Sequence, residues 1–115
     1  MLIRSQDKEM IVNTYTTNHI FVGEAYRPNG SLYDVCADEM RLGYYSTKQK
    51  AMKVLDMIQE AYAEYKITCT FLTGFTGHQI IAESNDIRFN GFEELVKSFK
   101  KNMVFYMPDD SEVET

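Results

Sequence analysis

Apolar residues change their spacing at Ser46, and this change constrains the fold more than any other feature of the chain. From there Ala51, Val54, Leu55, Ile58, Ala61, Tyr62 and Tyr65 recur every three or four positions, which makes one apolar stripe along a helix. Ser46-Thr47-Lys48-Gln49 marks its start as a capping box, with Ser46 at the N-cap and Gln49 three residues on. A helix with a single apolar stripe must bury it against another surface, and the residues before Ser46 read as strands that supply one.

Leu2 to Ser5 and Met10 to Tyr15 flank the polar Gln6-Asp7-Lys8-Glu9, and His19 to Glu24 follows a Thr-Thr-Asn turn, so three short strands are expected in a meander. Tyr26-Arg27-Pro28-Asn29-Gly30-Ser31 predicts a hairpin, because proline fixes φ and Asn-Gly tolerates positive φ. Leu32 to Ala37 and Arg41 to Tyr45 give two more strands. Beyond the helix, Ile67 to Phe75 returns to a β pattern, Gln79 to Glu83 is a short strand, and Asn90-Gly91 caps a short helix whose apolar side is Phe92, Leu95, Val96 and Phe99. Met103 to Met107 is a final strand. The expected class is α+β, an antiparallel sheet packed with one long and one short helix. Residues 1–108 are read as a single domain and 109–115 as an acidic, disordered tail dispensable for folding.

With 44% hydrophobic and 25% charged residues the composition is that of a globular protein. No apolar run approaches the roughly 18 to 20 residues that cross a bilayer, and the first residues lack the apolar core of a signal peptide, so no membrane association and a cytoplasmic location are expected. A net charge of −5 argues against DNA or RNA as partner, since that binding rests on a basic face. Cys36 and Cys69 lie far apart without metal-ligand spacing and read as core thiols, and His19 and His78 are isolated. No nucleophile-elbow, zinc or phosphate-loop motif occurs, so neither enzymatic activity nor a metal or cofactor is expected.

A small anionic ligand remains compatible with an acidic chain, because two or three placed cations suffice to bind one. Lys48, Lys50 and Lys53 crowd the positive end of the long helix while Glu60 and Glu64 sit toward its negative end, against the macrodipole. An anion docked there would explain that order, and a solvated surface is the competing reading. Lys50 is therefore a candidate ligand residue, with Arg41 before the helix, Arg27 in the hairpin turn, and Arg88 and Asn90 at the start of the second helix. Phe75 borders a glycine-containing loop where its ring has the freedom to stack on a base; core packing and surface ion pairs are the alternatives for these residues.

Ile3-Arg4-Ser5-Gln6-Asp7-Lys8, Leu42-Gly43-Tyr44-Tyr45-Ser46-Thr47, Ala51, Val54-Leu55-Asp56, Ile58 and Val104-Phe105-Tyr106-Met107-Pro108 together resemble short proteins of phages and prophages of Gram-positive bacteria. Among these the chain looks most like the Thoeris anti-defence sponge proteins. The resemblance implies a small α+β protomer that forms a homo-oligomer and sequesters a cyclic ADP-ribose signal, or for some members cyclic oligonucleotides, without cleaving it. It assigns no binding residue, and the candidates above come from chemistry alone. The alternative is an inhibitor of a host defence protein that uses an acidic, nucleic-acid-mimicking surface.

Overall fold

A computed structural model describes residues 1–73 and 92–114. Two three-stranded sheets and two helices make up the described chain, a mixed architecture in which antiparallel pairing predominates. The first sheet has the order β2-β1-β6, with β1 Leu2–Arg4, β2 Ile11–Asn13 and β6 Val104–Tyr106. β1 pairs antiparallel with β2 and parallel with β6, so that Ile3 lies between Val12 and Phe105. The second sheet is a true meander of β3 Ile20–Arg27, β4 Gly30–Ala37 and β5 Met40–Tyr45.

The expected meander of the first three strands is thus divided between two sheets. Its physical cause is local: after β2 the Asn13 carboxamide accepts the Tyr15 N–H at 3.0 Å and starts a 3-10 turn at Thr14–Thr16, which ends the ladder and redirects the chain. The hairpin at Pro28-Asn29 forms as read, with Arg27 opposite Gly30 and Gly30 at φ +121°, a conformation only glycine adopts without strain.

The long helix α1 runs Lys48–Thr73, and α2 runs Phe92–Lys101. Ala51, Val54 and Ile58 are buried against Val35, Leu42 and Tyr45 of the second sheet and Ile3 of the first, with Leu42 and Tyr45 essentially inaccessible. The apolar stripe read from the sequence is therefore the face that closes the core. The cap falls one residue later than expected: Thr47 Oγ1 accepts the Lys50 N–H at 3.1 Å, while the Ser46 N–H donates to Asp110 Oδ1 at 2.7 Å.

The strand expected from Ile67 to Phe75 is helical through Thr73. No glycine or proline falls between Gly43 and Gly74, and extending a formed helix adds one hydrogen bond per residue, so β-type composition does not stop it. Tertiary contact fixes the extension, since Asn102 Nδ2 donates to Thr68 Oγ1 at 3.0 Å and the Phe71 and Phe99 rings lie 5.9 Å apart. The strand expected at Gln79 to Glu83 and the cap at Asn90-Gly91 fall outside the described residues.

The chain after Pro108, read as disordered, is docked as far as Glu114. Asp110–Glu112 form a 3-10 turn and Val113 is buried in the core at 5% exposure. A single apolar residue among polar neighbours carried too little signal to predict this. Lys50 Nζ reaches the Asp110 carbonyl at 3.0 Å and its carboxylate at 3.4 Å, and Lys53 Nζ donates to the Glu114 carbonyl. Two of the three lysines that oppose the helix dipole, Lys50 and Lys53, are thus met by acceptors of the tail, which supplies the negative charge the first turn lacks.

Ending the chain at Asp109 is expected to lower stability, with loss of Val113 burial alone costing about 1 to 3 kcal/mol. Thermal unfolding should then shift down by about 4 °C or more. Folding also holds the Asp110 carboxyl below its ordinary value of 3.8, chiefly through the Ser46 N–H and secondarily through Lys50. A depressed carboxylate stabilises above its unfolded pKa and ceases to do so as pH falls through the folded one. Urea denaturation should show Asp110→Asn weaker than the parent chain at pH 7, with the difference shrinking as pH falls below 3.8.

Candidate functional site

On the second sheet the face turned away from α1 carries Gly23, Arg27, Asp34, Cys36, Arg41 and Tyr44. Strand register brings them together: Gly23 lies opposite Asp34, Asp34 opposite Tyr44, and Cys36 opposite Arg41. An irregularity between Val35 and Cys36 lets Arg41 and Tyr44, three positions apart, share this face.

Asp34 is a carboxylate with only 6% exposure in the middle of a strand. A buried carboxylate needs compensation, and Arg41 Nε supplies it at 2.9 Å. A second guanidinium N–H of Arg41 donates to the Tyr44 hydroxyl, and Arg41 also lies over the Tyr44 ring, 4.7 Å from its centroid. Arg27 approaches the same ring at 5.1 Å. Two guanidinium groups therefore converge on one tyrosine beside a single buried carboxylate, a local excess of positive charge in an acidic chain. Burial, then the Asp34 carboxylate, push the Cys36 thiol above its ordinary value, so it stays protonated and a weak nucleophile at neutral pH.

A cleft of about 290 Å³ opens beside the cluster, lined by Gln6, Asp7, Arg41, Leu42, Gly43 and Tyr44. Asp7 brings negative charge to its rim, though one of its oxygens is taken by the Ser5 hydroxyl at 2.6 Å and the Glu9 N–H at 2.9 Å. A second cleft of about 400 Å³ lies elsewhere, between the start of β3 and α1, with Ile20, Leu55, Ile58 and Tyr62 in its wall. His19 joins that cleft, held by Asp38 at 3.3 Å and stacked on Phe21 at 5.2 Å.

Of the residues singled out from sequence, Arg27 and Arg41 are brought together on Tyr44. Lys50 is not part of this group: it is engaged with Asp110 on the other side of the strand–helix junction. Phe75, Arg88 and Asn90 lie outside the described residues. Sequence reading missed Tyr44 and Asp34 as members of the group. Asp34 was visible as a lone carboxylate inside the strand-like run Leu32 to Ala37, but only the register shows that it faces Arg41. Among the described residues no three His, Cys, Asp or Glu side chains are placed to hold a metal ion, and no helix is long and apolar enough to cross a membrane.

Comparison of the chain with protein-family models, with curated proteins and with solved structures finds no match in any of the three.

A Cβ at Gly23 would run into Asp34 Oδ1. Gly23→Ala is expected to displace the carboxylate from Arg41 and to cost about 1 to 3 kcal/mol, the usual range for overpacking. Chemical denaturation measures the loss, and unchanged stability would show that the Asp34 carboxylate has room to move.

Proposed function

We propose that the chain is a binding protein, not an enzyme, which holds a phosphate-bearing nucleotide of the cyclic ADP-ribose class and withholds it from other proteins. The observation that carries this reading is the convergence of Arg27 and Arg41 on Tyr44. Guanidinium groups present paired N–H donors that match phosphate oxygens, and a tyrosine ring offers a flat surface for a base. Asp34 fixes Arg41 in advance, which reduces the ordering cost of binding. Asp34, Arg41 and the Tyr44 hydroxyl are committed to one another and Cys36 is neutral, so this cluster favours retention of the ligand over attack on it.

Calorimetric titration with cyclic ADP-ribose isomers tests the proposal, followed by heat denaturation and chromatography of the released ligand. Intact ligand should be recovered. Arg27→Ala should weaken binding by about tenfold or more, as expected for loss of a charge-assisted hydrogen bond, whereas Lys50→Ala should leave affinity unchanged. Absence of binding, a chemically altered ligand, or an Arg27→Ala variant of full affinity would sink the reading.

A further inference from the structure

The two edges of the second sheet are treated differently. On β5 the outer edge is occupied: Leu42 O accepts the Gln6 N–H at 2.8 Å, and the Gln6 carboxamide accepts the Tyr44 N–H at 2.9 Å and donates to Tyr44 O at 3.1 Å. On β3 no hydrogen bond from the described residues reaches the outer edge anywhere between Ile20 and Arg27. That eight-residue edge has no proline, no lysine and no bulge, three of the devices that stop an edge from pairing with another strand, and carries Glu24 and Arg27 as its charged residues.

The two-residue connection at Pro28-Asn29 makes Arg27 and Gly30 a hydrogen-bonded pair, and antiparallel alternation then turns the N–H and C=O groups of Ile20, Val22, Glu24 and Tyr26 outward. The same four residues share the helix side of the sheet. Tyr26 is 83% exposed, and at the other end of the strand Ile20 borders the apolar cleft of about 400 Å³ against Leu55, Ile58 and Tyr62.

We propose that β3 pairs antiparallel with β3 of a second copy across a two-fold axis at Gly23, joining the two sheets into one of six strands. In this register Val22 faces the partner's Glu24, and Ile20 faces the partner's Tyr26. All four outward-turned residues are then used, giving about eight main-chain hydrogen bonds. The partner's Tyr26 ring falls at the mouth of the cleft beside Ile20, so that an exposed aromatic side chain and an open apolar cleft satisfy each other. Pairing across the sheet requires residues of like face, which leaves few registers. A two-fold axis at Glu24 sets two carboxylates opposite each other, and one at Val22 leaves Tyr26 unpaired. At the axis itself the close approach of a non-hydrogen-bonded pair suits Gly23, which has no side chain. This assembly stands independently of the nucleotide reading.

Light scattering on the full chain at micromolar concentrations should give about twice 13.4 kDa. Glu24→Pro removes an outward N–H, a change an edge strand tolerates, and should yield a monomer with unchanged circular dichroism. Tyr26→Asp should weaken dimerisation by about tenfold or more, and it decides the matter alone if the proline variant does not fold. Tyr15→Asp, at a position 92% exposed on another segment, should remain dimeric. A monomeric parent chain, or a dimer that survives both Glu24→Pro and Tyr26→Asp, overturns the proposal.

Discussion

The carboxamide of Gln6 joins what would otherwise be two small, separate sheets. It imitates a strand residue against β5, pairing with both the N–H and the C=O of Tyr44, and its Nε2 also donates to Pro108 O at 3.2 Å. Three-stranded sheets of this size need an apolar partner surface to persist, and here both sheets contribute to one core under α1. Ile3 of the first sheet, Leu42 and Tyr45 of the second, and Val54 of the helix are all inaccessible to solvent. Tyr45 completes the seam, since its hydroxyl donates to Pro108 O at 2.8 Å while its ring lies in the core. Burial pushes that phenol well above its ordinary range, so it remains a neutral donor.

With that seam in place, the remaining charge pattern is explicable. The C-terminal residues return along the start of α1, where Asp110 and the Glu114 carbonyl receive Lys50 and Lys53. A helix whose own first turn has no acidic residue thus borrows its acceptors from the other end of the chain. Two other cations meet on the sheet. Arg27 and Arg41 share the Tyr44 ring, and only Arg41 has a carboxylate partner there. An acidic chain can therefore present a local excess of positive charge, because two guanidinium groups share one buried carboxylate.

Some of this was legible in the residues. The stripe from Ala51 to Tyr65, the Pro28-Asn29-Gly30 hairpin and the strands around Leu32 and Arg41 follow from periodicity and turn chemistry, and the structure has all of them. Arg27 and Arg41 were selected because arginine suits phosphate, and they do meet. Lys50 was selected by its misplacement on the helix dipole, and that signal was real; its partner proved to be Asp110 of the same chain. Ile67 to Thr73 shows the opposite failure, a β-like composition overruled by an uninterrupted helix that α2 covers.

What the residues determined by themselves has short range: which segments turn, which carry an apolar stripe, and which side chains have the chemistry to bind an anion. Those properties depend on neighbours a few positions away. Tertiary structure alone decided that the last residues dock and that Arg27 joins Arg41 at Tyr44. Each of these turns on contacts between residues remote in sequence, such as Gln6 with Pro108 or Lys50 with Asp110. Such contacts form only when burial of the shared core has already offset the entropy of bringing the segments together.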